Sequence, residues 1–435
     1  TIAADGTPAS LCNLTEDFEG SCADWTNSDM TNEQLRPPPI WSPDGRTLYA
    51  LAVQRGATRV YAVPATGNMG SDNVAAQFIA PVTPDNVAAQ FIAPVTPGNI
   101  HALDFSIDAA RRQMAVLIET PAHVAEIFMM SMDAPGELRA PEQAPGQPRG
   151  IVPTLNDECV LRRLTTFNDA LFDEMSLTTP EYMPYTGADG WPMDGWVLKP
   201  PGFDASRKYP MIVEIHGGPN TQYGYGFMHE MHMLAAQGYV VLFTNPRGSL
   251  GYGRDFALAV RGAWAEKDSL DILAGVDAVL QRGYIDEQRI GVIGGSYGGF
   301  MTAWLIAHSA RFKAAVADRP VINRASFFGS SDIGIEFADD DLEAVPWDDL
   351  PRYMHTSPIA YVRNMHTPLL IIHSEHDLRC NIEQSEQLFA ALKYLGREVL
   401  FVRFEGQSHG LSRSGHPHSR LERLRHIKQW FVEHL

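Results

Sequence analysis

Arg289-Ile290-Gly291-Val292-Ile293-Gly294-Gly295-Ser296-Tyr297-Gly298-Gly299-Phe300 is where strand, turn and helix signals meet most sharply in this chain. The apolar run up to Ile293 reads as a buried strand, and the run from Tyr297 reads as a helix. Between them Gly294-Gly295-Ser296-Tyr297-Gly298 fits G-x-S-x-G. A serine on such a turn is held in strained backbone with its hydroxyl raised above the sheet. The glycines are required because side chains there would collide with the neighbouring strand and helix. The context therefore predicts Ser296 as a nucleophile.

Working outward, the pattern after about residue 180 alternates strands and helices. Strand candidates are 211–215, 239–244, 289–293, 314–317, 368–373 and 398–404; helical runs lie at 268–281, 297–308, 382–395 and 418–434. Apolar strands separated by helices of this length predict a mostly parallel sheet, doubly wound and covered on both faces. A serine nucleophile needs a base, and the base needs an orienting acid. On this kind of sheet the order is Ser, acid, His, each in a loop after a later strand. Ser374-Glu375-His376-Asp377 supplies the acid, Asp377, with Glu375 as its rival. Gln407-Ser408-His409-Gly410 supplies the base, His409. The competing histidines 373, 376, 416, 418 and 426 read as surface or cap residues. A tetrahedral intermediate needs backbone donors. The Tyr297 amide is one, and His216-Gly217-Gly218-Pro219 directly after strand 211–215 offers the second.

Before residue 150 the chain is built differently. Trp41-Ser42-Pro43-Asp44 and Phe105-Ser106-Ile107-Asp108 each introduce a pair of β-like runs, a recurrence expected of β-propeller blades. Residues 1–15 resemble the stretch after each unit's last strand. Residues 72–84 and 85–97 both read DNVAAQFIAPVTP. The repeat is too exact to be architectural and reads as a duplicated inter-blade loop, which costs little closure entropy. The expected division is 1–165 for the blades and 166–435 for the catalytic part. A blade takes about 40–45 residues and a ring needs about four or more. Two blades and the tail of another cannot close, so a preceding segment is expected to complete the ring.

Composition narrows the functions. Of 435 residues, 34 are Lys or Arg and 52 Asp or Glu, a formal charge of −18. This argues against nucleic acid and anionic membrane as partners. No apolar run reaches the ~18 residues of a membrane span. The four cysteines, Cys12, Cys22, Cys159 and Cys380, form no metal-type pair. Cys12 and Cys22 are spaced to close a loop in an oxidising compartment and stand as free thiols in a reducing one. Localisation stays open, with the cytoplasm favoured. No metal or cofactor is expected. His229-Glu230-Met231-His232 is one residue short of H-E-x-x-H and reads as helix-surface histidines. Asp339–Asp341 with Glu343 reads as a solvated loop, and residues 248–253 do not open a helix as a dinucleotide loop must.

HGGP at 216–219, NPRGSLGYG at 245–253, GGSYGGF at 294–300, DRPVINRASFFGSSDIG at 318–334 and SHG at 408–410 resemble the prolyl oligopeptidase family, and within it the acylaminoacyl-peptidase branch. The resemblance is dense over about 165–435 and loose over the blades. It implies an α/β-hydrolase domain preceded by part of an all-β propeller that screens substrates by size. It further implies Ser296 as nucleophile, His409 as base and then acid, Asp377 as its carboxylate, and the Gly218 and Tyr297 amides as oxyanion donors. Dipeptidyl-peptidase relatives have a Tyr at the position of His216, so no hydroxyl donor is expected there. Phe327, Phe328 and Cys380 fall where relatives line the pocket for the residue before the scissile bond, an apolar one. Short peptides are the implied substrates, a homo-oligomer is compatible, and no cofactor is implied. A dipeptidyl-peptidase of the same family, a carboxylesterase and a catalytically silent propeller-type binding module are the alternatives.

Overall fold

The computed structural model describes residues 18–29, 37–42, 45, 47–64, 93–110, 112–132 and 161–435. Cys12, Cys159, the opening segment 1–15 and most of the duplicated stretch fall outside these residues.

The first part consists of two antiparallel meanders. β1 (Ser21–Cys22) and β2 (Ile40–Trp41) lie along one edge of β3 (Thr47–Gln54), which pairs with β4 (Ala57–Pro64), which in turn pairs with β5 (Ala93–Pro94). The second meander is β6 (His101–Ile107), β7 (Gln113–Thr120), β8 (His123–Ser131) and β9 (Arg162–Arg163). A single parallel pairing, Thr58 with His101, joins the two. The aromatic-Ser-x-Asp reading has a physical basis. Ser42 Oγ accepts the Thr47 amide, and Asp108 Oδ1 accepts the amides of Arg112 and Gln113, so each turn is closed by its own polar residue. The tail of the second DNVAAQFIAPVTP copy departs from the loop reading: Ala93–Pro94 is a strand, and Thr96 Oγ1 accepts the Val60 amide.

The second part is an eight-stranded sheet in the order β10 (Glu181–Thr186), β11 (Pro192–Leu198), β13 (Val240–Asn245), β12 (Tyr209–Ile215), β14 (Ile285–Gly295), β15 (Ala314–Asp318), β16 (Leu369–Ser374), β17 (Val399–Phe404). All pairings from β13 to β17 are parallel. β10 and β11 extend the sheet antiparallel at one edge, two strands beyond the six expected. Alternation sorts the two faces. Met211, Val213 and Ile215 face the helices Asp268–Leu280 and Tyr297–His308, while Ile212, Val241 and Phe243 face His229–Ala236 and Pro417–His434.

That last packing corrects half of the surface reading of the two histidines: His229 is exposed, but His232 is not. Glu230 and His232 are buried; Arg423 donates to Glu230, and His232 Nε2 lies 2.6 Å from Pro121 O. Within the acidic run Glu343 is exposed as expected, but Asp341 is not solvated: it is buried against Arg324 and accepts the Gly262 amide. A five-residue helix, Arg254–Leu258, does begin after Gly253. Among the described residues no helix is long and apolar enough to cross a membrane.

The two parts meet at a tight seam. The β3–β4 turn places Arg55 (φ 49) and Gly56 (φ 80) in left-handed backbone, as a two-residue hairpin needs. Arg55 N donates to Gly251 O, Gly56 N to Gln222 Oε1, and Tyr225 N to Gly56 O; the Arg55 guanidinium lies 2.9 Å from Asp194. A Cβ on Gly224 would sit 1.8 Å from Gly56 O, so the backbones touch only because glycine stands there. Residues 25–29 lie along the same seam, with Asn27 N donating to Gln222 O and Asn27 Nδ2 to Thr221 Oγ1.

Candidate active site

Ser296 sits at φ 61, ψ −120 between β14 and the helix Tyr297–His308. Its amide donates to Asp318 O, which fixes the turn against β15. The flanking glycines are sterically obligatory: a Cβ on Gly298 would stand 2.1 Å from Ile215 O, and one on Gly294 2.6 Å from Gly298 O. The sequence reading of the turn as a strained elbow is what the backbone shows.

Asp377 follows β16 and His409 follows β17. His409 Nδ1 lies 2.7 Å from Asp377 Oδ2, while Asp377 Oδ1 accepts the amides of Arg379 and Cys380 at 2.9 and 2.8 Å. Burial pushes the Asp377 carboxyl up, but hydrogen bonds from His373 and His409 outweigh it and hold it below the ordinary carboxylate range. Burial, aided by the charge of Arg319, holds the His409 imidazole down to about 4 against the pull of Asp377. His409 is therefore neutral at pH 7, the form a general base needs. Because the base works deprotonated, kcat/KM is expected to rise with pH along a limb centred near pH ~4, well below the ordinary histidine range. A pH–rate profile on an uncharged substrate checks this; a midpoint at 6.5 or above would show an imidazole that burial does not depress, while leaving a histidine as the base.

The rival acid is placed elsewhere: Glu375 pairs with Arg403 at 3.0 Å. Of the competing histidines, His416 caps the last helix by accepting the His418 amide. His373 is not a surface residue. It is fully buried, with Nδ1 2.6 Å from Ser385 Oγ and Nε2 2.7 Å from Cys380 O, braced behind Asp377. The Ser296 hydroxyl faces Cys380 Sγ at 3.8 Å, and among the described residues no hydrogen bond joins it to His409. Nucleophile–base bonds are commonly long without substrate and tighten in the complex.

Ser296, Tyr297, Gly218 and His409 line one cavity of about 650 Å³. Neither the Tyr297 nor the Gly218 amide has a hydrogen-bond partner among the described residues, so both are available to an oxyanion. The Tyr297 side chain is anchored by donating to Asp268, a buried carboxyl that burial pushes up to about 6. His216 is buried away from this cavity. Its Nδ1 lies 2.6 Å from Gly217 O and its Nε2 2.9 Å from Ser249 Oγ, tying the Gly-Gly loop to residues 245–253. Burial lowers it to about 4, so it is neutral.

Phe327 and Cys380 line the cavity, joined by Val321, Ile333, Phe337 and Trp264. Phe328 does not; its ring packs edge-on against Trp347, 5.3 Å between centroids. The sequence reading missed residues 25–29, which reach this cavity from the propeller side. It also missed His123, Glu126 and Asp169, whose ligand atoms lie within 4.8 Å of one another. Arg163 contacts all three, so a guanidinium occupies the place a cation would take.

Residues 225–435 match the model of the prolyl oligopeptidase family. The chain is 37% identical over 426 residues to the Uncharacterized peptidase YuxL of Bacillus subtilis, covering 98% of this chain and 58% of that protein. It superposes on the Pyrococcus horikoshii acylaminoacyl peptidase with a TM-score of 0.78 at 27% identity, over 98% of this chain and 58% of the other. It also superposes on an acylaminoacyl peptidase in complex with Z-Gly-Gly-Phe-chloromethyl ketone, with a TM-score of 0.77 at 27% identity, over 97% of this chain and 57% of the other. The chain thus spans less than two thirds of the length of these relatives. The fold is an α/β-hydrolase preceded by part of an all-β propeller.

Proposed function

We propose that this chain, which carries a prolyl oligopeptidase family domain over residues 225–435, is a serine peptidase that hydrolyses short peptides in the manner of an acylaminoacyl peptidase. The observation that carries the reading is the convergence of a strained Ser296, the His409–Asp377 pair and two free amides on one cavity. Ser296 Oγ attacks the scissile carbonyl as its proton passes to His409 Nε2. Asp377 holds Nδ1 and stabilises the imidazolium, and the Tyr297 and Gly218 amides take the oxyanion. Collapse expels the amine with the proton from His409, leaving an acyl-enzyme that water then hydrolyses by the same route. The residue before the scissile bond is expected to be apolar, since Phe327, Phe337, Ile333 and Trp264 line the cavity. The phenylalanine of the chloromethyl ketone bound by the relative supports that choice. We place the domain boundary at 165/166, between β9 and β10, with the blades acting as a size filter.

A panel of acetyl-aminoacyl, dipeptidyl and simple ester chromogenic substrates tests this. Turnover of acetyl-Phe and acetyl-Leu anilides above the others is expected. Turnover of esters alone would make the chain a carboxylesterase, preference for free dipeptidyl substrates a dipeptidyl-peptidase, and no turnover with no serine labelling a binding module.

A further inference from the structure

Four arginines line the catalytic cavity, and three of them are spoken for. Arg319 pairs with Asp318, Arg379 with Asp332, and Arg423 with both Asp318 and Glu230. The fourth is Arg413. Among the described residues its guanidinium has neither an ion pair nor a hydrogen bond; only its main-chain amide is engaged, with Gly410 O. The carboxylates that reach it electrostatically are already committed. Asp318 serves two other arginines, and Asp29 accepts the amides of His229 and Glu230 at 2.7 and 2.8 Å. Burial, together with the like charges of Arg319 and Arg423, lowers Arg413 to about 10, which leaves it protonated at neutral pH.

A cation kept charged, unpaired and among like charges in a half-buried cavity is costly unless a ligand completes it. Its placement says which ligand. Arg413 lies on the helix Leu411–Ser414 that leads directly from His409-Gly410, and Ser412 and Ser414 line the same cavity. It thus stands on the wall of the residue that delivers a proton to the departing amine. The Ser414 hydroxyl already donates to Gly410 O, but the Ser412 hydroxyl keeps its proton available, and a guanidinium fork on the same wall as such a donor suits a carboxylate.

We propose that Arg413 anchors the free C-terminal carboxylate of the leaving portion of a short peptide. The inference rests on the peptidase reading above and adds to it a preference for substrates that end a few residues after the scissile bond. The same contact makes short peptides with a free carboxylate competitive product inhibitors, whereas their amides bind more weakly.

The test has two arms, run on the wild-type chain, Arg413→Gln and Arg413→Lys. The first measures how Ala-Gly and Ala-Gly-amide slow labelling of Ser296 by a fluorophosphonate. The second compares kcat/KM for acetyl-Phe-Ala-Gly and its C-terminal amide. In the wild type the acid is expected to outperform the amide about 10- to 100-fold, the scale of a charge-assisted hydrogen bond. The ratio should fall towards 1 in Arg413→Gln, be partly retained in Arg413→Lys, and shrink with added salt. Equal treatment of acid and amide by the wild type, or an unchanged ratio in Arg413→Gln, overturns the proposal. If no peptide is cleaved, the peptidase reading falls, and the labelling arm still decides on Arg413. If Arg413→Gln does not fold, the wild-type ratio and the Lys variant decide alone.

Discussion

Ser296→Ala is expected to lower kcat by about 10⁶ while leaving the fold unchanged. The magnitude reflects both the group the substitution removes and the groups it leaves. In the proposed mechanism it deletes the only protein atom that bonds to the acyl carbon. It leaves the Tyr297 and Gly218 amides, worth on the order of 10³–10⁴ over water in enzymes of this design. The backbone should hold, because the elbow is set by contacts that do not involve the hydroxyl. Ser296 N donates to Asp318 O, Phe300 N donates to Ser296 O, and the hydroxyl's own neighbour is the Cys380 thiol. Steady-state kinetics and labelling with an active-site serine probe measure the effect together. Labelling of the Ala variant at the wild-type stoichiometry would place the nucleophile elsewhere. A loss of less than about 100-fold would mean that a second group replaces it. The thiol of Cys380 is the nearest such group, and burial pushes it up, away from the reactive thiolate.

The parts of this site that were legible in the sequence are those whose physics is local. The elbow is one: a strand, an obligatory glycine on each side and a helix are all contiguous, so Gly294 and Gly298 announce a close approach to a neighbouring strand, which the structure shows to be at Ile215 O. Asp377 and His409 were legible for a related reason, since each sits in the loop just after an apolar strand on the same sheet edge. The residues that escaped depend on partners far along the chain. His232 looked like a surface residue because the group that satisfies it, Pro121 O, lies 111 residues away, and the Arg423 partner of its buried neighbour Glu230 lies 193 residues away. His373 escaped for the opposite reason. It is close in sequence to Asp377, but only the register of β16 turns it inward onto Ser385 and Cys380 O. The Phe327-Phe328 pair shows the limit of carrying positions over from relatives. Adjacent helical residues point about 100° apart, so one lines the cavity and the other packs on Trp347. β10 and β11 were missed because Pro184, Pro192 and Gly195 interrupt their apolar pattern. Residues 25–29 could not be assigned to the site at all, because only the fold of the seam brings them beside residues 220–230.

Asp377→Asn is expected to lower kcat by about 10⁴, and the surroundings of Asp377 show why an isosteric change should cost so much. One oxygen, Oδ1, accepts two main-chain amides, from Arg379 and Cys380. The other, Oδ2, accepts from His409 Nδ1 at 2.7 Å and lies 3.4 Å from His373 Nε2. An asparagine has one acceptor oxygen and one donor nitrogen. Placing the NH₂ group at Oδ1 would set a donor against two amide donors, so the carbonyl must stay there. The NH₂ group is then forced onto His409 Nδ1, which can meet it only as an acceptor. That fixes the imidazole with its proton on Nε2, facing Ser296, where a base needs a lone pair. Geometry survives and the tautomer is wrong. KM should change little, because no contact to the apolar pocket is touched, so the loss falls on kcat. Glu375→Gln is the companion variant. Its carboxylate is 34% exposed and paired with Arg403, so less than a threefold change is expected, in keeping with the small energy of an exposed ion pair. The reverse result, near-normal turnover in Asp377→Asn and collapse in Glu375→Gln, would transfer the orienting role to Glu375 and require His409 to turn away from the cavity wall it now shares with Ser296.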